Sequence, residues 1–501
     1  MSNKKVIIIG GGVAGFSAGT YLQLNGYETE IIEKNHVAGG ACIGWERSGC
    51  YIDGCIHWLT GVKPGSDLYK IWRVVDAINL DTNIFQQDDL VKAVFGDKTC
   101  MLYADLDKMQ NELISFAPED VKEIKRFVKM IKRFQKVNPP CFKPVELMNI
   151  FELLKIAFTM GGVYYWVNKT SKILSSDYAN RFKNEHLRQL IADFMAPNYN
   201  YMSMLYMLGH ISANDAGIPE GGSMGVVNRL EQRYLSVGGK IRKGIEVEKV
   251  IVENDVATGV LLKNGEVLSS NWVVSTTPVE HCLVDLLDGK YHDKKFDLRL
   301  ANEDLYPIYT YTTAVIKCPK TVLDKSLSIK IKLDTPINLD KKYDYLSFRN
   351  YGYDQTVKGA EDYCVIQASI HGDDKMYYYW KGIKDNGDYK TAKKQVGEEF
   401  LALAKKVYPD VADDLKVIDV VTPCTYERYL NSRHGSFQGF VHTDKGKSLM
   451  QNGRIKGLKN FILAGQYIIQ SGGLPAAAMS GKFTAQRICH SDKQKFVEPK
   501  I

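Results

Sequence analysis

Several things this 501-residue chain lacks narrow its reading at the outset. None of its 10 cysteines forms a CxxC pair, and no His/Cys cluster has zinc-ligand spacing, so no metal site is expected. No uncharged apolar stretch reaches the roughly 18 residues that a membrane span needs. The opening apolar run, Val6 to Ile9, is too short for a secretory signal. Free thiols and no signal read as a reducing, cytoplasmic setting. Charge of one sign is also scarce: 65 basic against 58 acidic residues leave +7, with no sustained basic stripe, which argues against a nucleic-acid partner. Repeats and low-complexity tracts are missing. What remains is ordinary for a globular protein, 45% hydrophobic and 25% charged, and long enough for two or three lobes.

What is present starts at once. Residues 4–34 read KKVIIIGGGVAGFSAGTYLQLNGYETEIIEK. Val6 to Ile9 show no polar alternation, as in a strand buried on both faces of a parallel sheet. Gly10-x-Gly12-x-x-Gly15 then fits the dinucleotide fingerprint: a tight turn, a close backbone approach to a pyrophosphate, and close packing of helix on strand. The helix that follows opens with Val13 and Ala14, whose amides have no partner within the helix and face the phosphates. The next strand ends at Glu33, followed by Lys34. A carboxylate there accepts hydrogen bonds from a ribose diol and repels a 2′-phosphate, so NADP is disfavoured.

Downstream, Gly39-Gly40-Ala41 and then Arg47 suit a longer, folded-over cofactor with more phosphate and ribityl contacts, FAD rather than NAD. The run GGAC…SGCYIDGCIHWLTG resembles the flavin-binding start of the phytoene desaturase, carotenoid isomerase and retinol saturase group. Asp53-Gly54-x-x-His57-Trp58 is most similar to the retinol saturases. The resemblance continues in GIPEGGSMGVVNRLEQRYLSVGGKI, in the strands around Asn264-Gly265, in TPCTYERYLNSRHGSFQGF and in NFILAGQYIIQSGGLPAAAMSGKFTAQRI.

That resemblance implies an α/β fold: a Rossmann-type FAD-binding domain assembled from 1–80, 217–285 and 415–490, plus an α+β substrate domain from 81–216 and 286–414, then a polar tail, 491–501. The first substrate segment reads as helical and the second as strand-rich. It also implies that Val247 passes the adenine, that Gly465 and Gln466 lie near the ribityl chain, and that Gly473 and Leu474 open a helix aimed at the flavin. Gln466 stands where the family usually has an acid. The substrate would be an apolar polyene or unsaturated lipid, saturated, desaturated or isomerised at a carbon–carbon double bond. His57 is the first candidate proton donor and also a candidate flavin neighbour; Glu427 and His434 follow. Asp53 reads as a turn-stabilising acid.

Residues 145–167, VELMNIFELLKIAFTMGGVYYWV, carry three charges, Glu146, Glu152 and Lys155. A buried helix is the favoured reading, an interfacial helix giving peripheral membrane contact is the second, and a span is disfavoured by the charges and Gly161-Gly162. A homodimer is compatible with the sequence. Rival functions are an amine oxidase-like flavoenzyme and a non-redox prenyl- or lipid-binding protein of the same fold.

Overall fold

The computed structural model describes residues 4–195, 199–320, 326–441, 443, 445–446, 451–469 and 472–500. Val6, Ile7 and Ile8 are fully buried in the central strand of a five-stranded sheet. Its order is Lys240–Lys243, Glu28–Glu33, Lys5–Ile9, Trp272–Ser275 and Phe461–Leu463, with every pairing parallel. Ile9 pairs with Ile32 and Ser275, and Ser275 with Leu463, so the carboxyl ends of these strands share one edge. That edge is where open α/β sheets bind ligands.

Two helices cover one face of the sheet, and they come from opposite ends of the chain. Val13–Gln23 packs on Gly473–Ser491 through small residues. A Cβ added to Gly481 would lie 2.6 Å from Ser17 Cβ and 2.7 Å from Ala14 O, so only glycine allows this approach. Ser17 Oγ donates to Ala478 O at 2.7 Å across the same contact. A Cβ on Gly15 would sit 2.1 Å from Gly10 O, which locks the fingerprint helix onto its strand.

The second lobe is built on a seven-stranded sheet, order Lys416–Val421, Thr310–Pro319, Tyr363–Gly372, Lys342–Asn350, Ser328–Asn338, Asp89–Phe95 and Lys98–Tyr103. Two features differ from the sequence reading. Lys416–Val421 pairs with Thr310–Pro319 and therefore belongs to this sheet, although it lies inside the segment assigned to the flavin domain. A short strand carries no mark of which sheet it joins. The stretch read as helical, 81–216, contributes the hairpin Asp89–Phe95 and Lys98–Tyr103, turned at Gly96 with φ +63°. Helices do follow, Leu106–Phe116, Val121–Phe134, Glu185–Ala192 and Tyr201–Ser212, around a core where Tyr178 stacks on Tyr201 at 3.8 Å.

The expectation of a buried helix over 145–167 is corrected. The helix runs Ile150–Thr170, started by a capping box of Asn149 and Glu152, and it lies on the outside. Ile150, Phe151, Leu154, Phe158, Tyr164 and Tyr165 are exposed, Phe158 by 93%. Val163, Trp166 and Val167 alone pack against the helical core.

Candidate active site

A cleft with about 990 Å³ of empty space, part of it open to solvent, lies at the carboxyl edge of the parallel sheet. Its floor is the glycine turn: Gly10, Gly12, Val13 and Ala14 face Gly39, Gly40 and Ala41 across it. Gly10 has φ +102° and meets Thr276, whose hydroxyl donates to Ile9 O at 2.9 Å. A Cβ on Gly12 would find nothing nearer than 3.7 Å, so the space it would fill lies open in the cleft. The helix beginning at Val13 has no side-chain cap on its amino end, leaving its first amides for a ligand.

One end of the cleft is polar. Glu33 is buried there and accepts from Gly11 N–H at 2.8 Å and from Asn35 N–H at 2.8 Å. Lys34 reaches across to Asn431 and to Arg428 O, the latter at 3.1 Å. Burial lowers the Lys34 pKa, against the pull of Glu246 and Glu33. Val247, Glu246 and His281 complete this end.

The other end is formed by Gly465, Gln466, Leu474 and Ala477. Gln466 donates through Nε2 to Phe437 O at 3.0 Å and accepts from Gly473 N–H at 3.1 Å. It therefore ties the last helix to an aromatic cluster next door. There Phe437 stacks on Tyr311 at 4.4 Å, Tyr311 meets the His371 ring at 4.5 Å, Tyr426 lies beside Phe437 at 6.2 Å, and Tyr199 stacks on Tyr309 at 4.7 Å. Burial holds the Tyr311 and Tyr426 phenols well above their ordinary range and Tyr199 at about 12. Burial also lowers His371 to about 4, helped by Lys330.

The family model for flavin containing amine oxidoreductases matches residues 13–489, running from the fingerprint helix to the last helix. The chain belongs to that family. Phytoene desaturase (lycopene-forming) of Paracoccus sp. is 21% identical over 96% of this chain and 97% of its own length. Prolycopene isomerase of Daucus carota is 22% identical over 96% of this chain and 79% of its length. Among solved structures, cyclohexylamine oxidase of Brevibacterium oxydans superposes with a TM-score of 0.60 at 14% identity, over 98% of this chain and 100% of that one. The protein is an FAD-dependent oxidoreductase.

The cleft suits FAD: an acid at one end, unpaired helix amides and an open glycine cradle in the middle, small residues at the far end. Of the sequence candidates in this flavoenzyme, Gly10, Gly12, Val13, Ala14, Glu33, Lys34, Gly39, Gly40, Ala41, Val247, Gly465, Gln466 and Leu474 line it. Gly15 packs beneath it, and Gly473 stands behind Gln466. Arg47 does not line it. It is exposed on the hairpin Gly44–Arg47/Cys50–Asp53 and pairs with Asp419 at 3.7 Å, because that hairpin carries it towards the second sheet.

The three catalytic candidates also lie off the cleft lining. His57 is half-buried next to Trp58, and its carbonyl accepts from Arg349 at 2.7 Å. Burial, then Arg349 and His371, hold its imidazole well below 6.5, which favours the neutral ring. Glu427 accepts from the Tyr377 hydroxyl at 2.5 Å. His434, at φ +48°, has Nδ1 2.6 Å from Asp374 Oδ1 and stacks on Tyr377. It shares Glu303 with Arg433, whose Nη2 is 2.6 Å away, so these residues brace the lobes. Asp53 is a turn acid: it accepts from Cys55 and Ile56 amides and from Ser223 N–H and Oγ.

Sequence reasoning missed Thr276, Thr277, Pro278, His281, Asn431 and Ser436, which all line the cleft. For the first three a signal existed: the run STTP directly follows a buried strand, at the ligand-binding edge.

Proposed function

We propose that this flavoenzyme transfers a hydrogen pair at a carbon–carbon bond of an apolar polyene. The observation that carries the reading is the aromatic cluster at the Gln466 end of the cleft, with neutral histidines and protonated phenols. A long apolar substrate enters such a place without displacing a charge. A protonated amine would instead meet the Arg349 guanidinium beside His57, and the nearby Asp53 has its oxygens taken by amides and hydroxyls. The relatives named for carotenoid desaturation and isomerisation support the same reading.

Bound FAD supplies a two-electron centre that accepts or gives a hydride. The chain's own residues do the rest. Val13 and Ala14 amides would hold the pyrophosphate, and Glu33 would accept from the adenosine ribose. Lys34 and Val247 would flank the adenosine, while Gln466 and Leu474 would face the flavin end. Tyr311, Tyr426 and Phe437 align the polyene and keep water away. His57, held neutral beside His371 of this cluster, would accept the substrate proton at its ring nitrogen in the desaturating direction.

Anaerobic mixing with a panel of polyenes, enones and amines, followed at the flavin absorbance and by mass spectrometry, tests this. We expect flavin reduction or reoxidation with a polyene and a change of two hydrogens in the product. Oxygen consumption with an amine, with every polyene inert, would overturn it.

A further inference from the structure

We propose that the helix Ile150–Thr170, together with the adjoining helix Val121–Phe134, docks this protein in the plane of an anionic lipid surface. The inference rests on the surface alone and is independent of the polyene reading.

The first observation is that Ile150–Thr170 is largely apolar yet only partly covered, along the row that carries Val163, Trp166 and Val167. Its protein-facing row, Ile156, Met160, Val163, Trp166 and Val167, is only half-buried, and the opposite side is fully exposed. A helix of that composition belongs in a core or in lipid, and it is not in the core. Its length and hydropathy reach those of a spanning segment. However, Val163, Trp166 and Val167 lie along the helical lobe, and Glu152 is paired with Lys143 at 2.9 Å, so the helix lies flat on the protein. Lys155, exposed on it, has an alkyl stem long enough to lift its charge to the headgroups.

The second observation is charge. Lys122, Arg126, Lys129 and Arg133 recur at four- and three-residue steps on the exposed side of Val121–Phe134, with Lys125 and Lys132 beside them and Lys136 just past the helix end. The expectation of no sustained basic stripe is thereby corrected: the helix sets these residues on one exposed side. Arg133 lies over the Trp166 ring at 4.2 Å and joins the two helices. Arg126 pairs with Glu123 and Lys132 with Asp107; Lys122, Lys125, Lys129 and Lys136 have no ion-pair partner among the described residues. Basic charge next to an apolar helix is the pattern that anionic headgroups attract. A second copy is a poor occupant, because a two-fold contact sets like stripe near like stripe.

The placement also has a use. The segment leaving this helix bonds directly to the aromatic cluster's wall: Ser175 N–H donates to Tyr199 O at 2.9 Å and Tyr201 N–H to Ile173 O at 2.7 Å. A docked helix therefore puts Tyr199 and Tyr309 close to the lipid.

Flotation of the FAD-loaded protein with phosphatidylcholine vesicles, with and without roughly 30% phosphatidylserine, tests this. We expect binding to the anionic vesicles, at least about tenfold weaker binding to neutral ones, and a steep loss with salt. Phe158→Asp and the pair Lys125→Glu/Lys129→Glu are surface changes; each should abolish flotation while the flavin spectrum and melting temperature stay put. No binding to either vesicle, or equal binding by wild type and both variants, would overturn the proposal. So would a dimer in sedimentation that Phe158→Asp breaks and vesicles do not bind. None of these outcomes bears on the polyene reading, since the vesicles contain none.

Discussion

At the scale of single residues, the glycine turn separates two effects of one methyl group. On Gly15 it would collide with Gly10 O at 2.1 Å, so Gly15→Ala should cost about 3 kcal/mol of stability and release FAD. On Gly12 it meets only open cleft, so Gly12→Ala should fold at near wild-type stability but emerge pale. The flavin-to-protein absorbance ratio and a thermal melt distinguish the two. Glu33→Gln keeps the bond from Gly11 and loses the charge, and should weaken FAD about tenfold, about 1.4 kcal/mol, in a fluorescence titration of the deflavinated protein. The histidines make stability depend on pH. His371 has a folded pKa of about 4, below its ordinary 6.5, so the native state prefers it neutral. Its contribution is complete above pH 6.5 and is lost as pH falls towards 4. That contribution is at most about 3 kcal/mol, less to the extent that water reaches the half-buried ring. His371→Asn should flatten the fall in melting temperature between pH 7 and pH 5. The fingerprint glycines and Glu33 were legible because backbone geometry and ribose chemistry demand those residue types locally. Arg47 was misread because its partner Asp419 is remote in sequence and chosen by a strand pairing.

At the scale of elements, the contact of first and last helices carries the most weight. Gly481→Val would push Ser17 and Ala14 away, so this variant should lose about 3 kcal/mol and its flavin together, seen as coincident loss of yellow colour and melting temperature. The hairpin at Asn264-Gly265 was readable, and Gly265 has φ +85°. Its neighbour at Asn254-Asp255 was not, although both residues are left-handed at φ +52° and +61°, since neither is glycine. The helix Ile150–Thr170 shows a limit of pattern reading. With apolar residues on every face, periodicity cannot say which face is covered, and only the packing of Val163, Trp166 and Val167 decides. Strand Lys416–Val421 shows another, because sheet membership is a long-range property.

At the scale of the molecule, the cleft draws its walls from residues 9–42, 246–281 and 429–477. FAD bound there would add a further link between segments already joined by the sheet, the helix pair and side-chain bonds such as Lys34 to Arg428 O and Arg433 to Glu280. Its removal should lower the melting temperature, and free FAD at a hundredfold over its dissociation constant should restore about 2.7 kcal/mol. Dialysis against chaotropic salt, then a melt with and without added FAD, measures this. The motifs fall in separated blocks that a sequence shows, whereas the sheet that Lys416–Val421 joins is set by a long-range pairing that it does not show.

The pairing of the first helix with the last has a consequence for biosynthesis. A ribosome that has delivered the first four hundred residues holds a chain with its glycine turn made and the opposite wall still unmade. The nascent protein must therefore wait colourless, its fingerprint helix bare along the Ala14–Ser17 side, until Gly465 to Gly481 emerge to meet it.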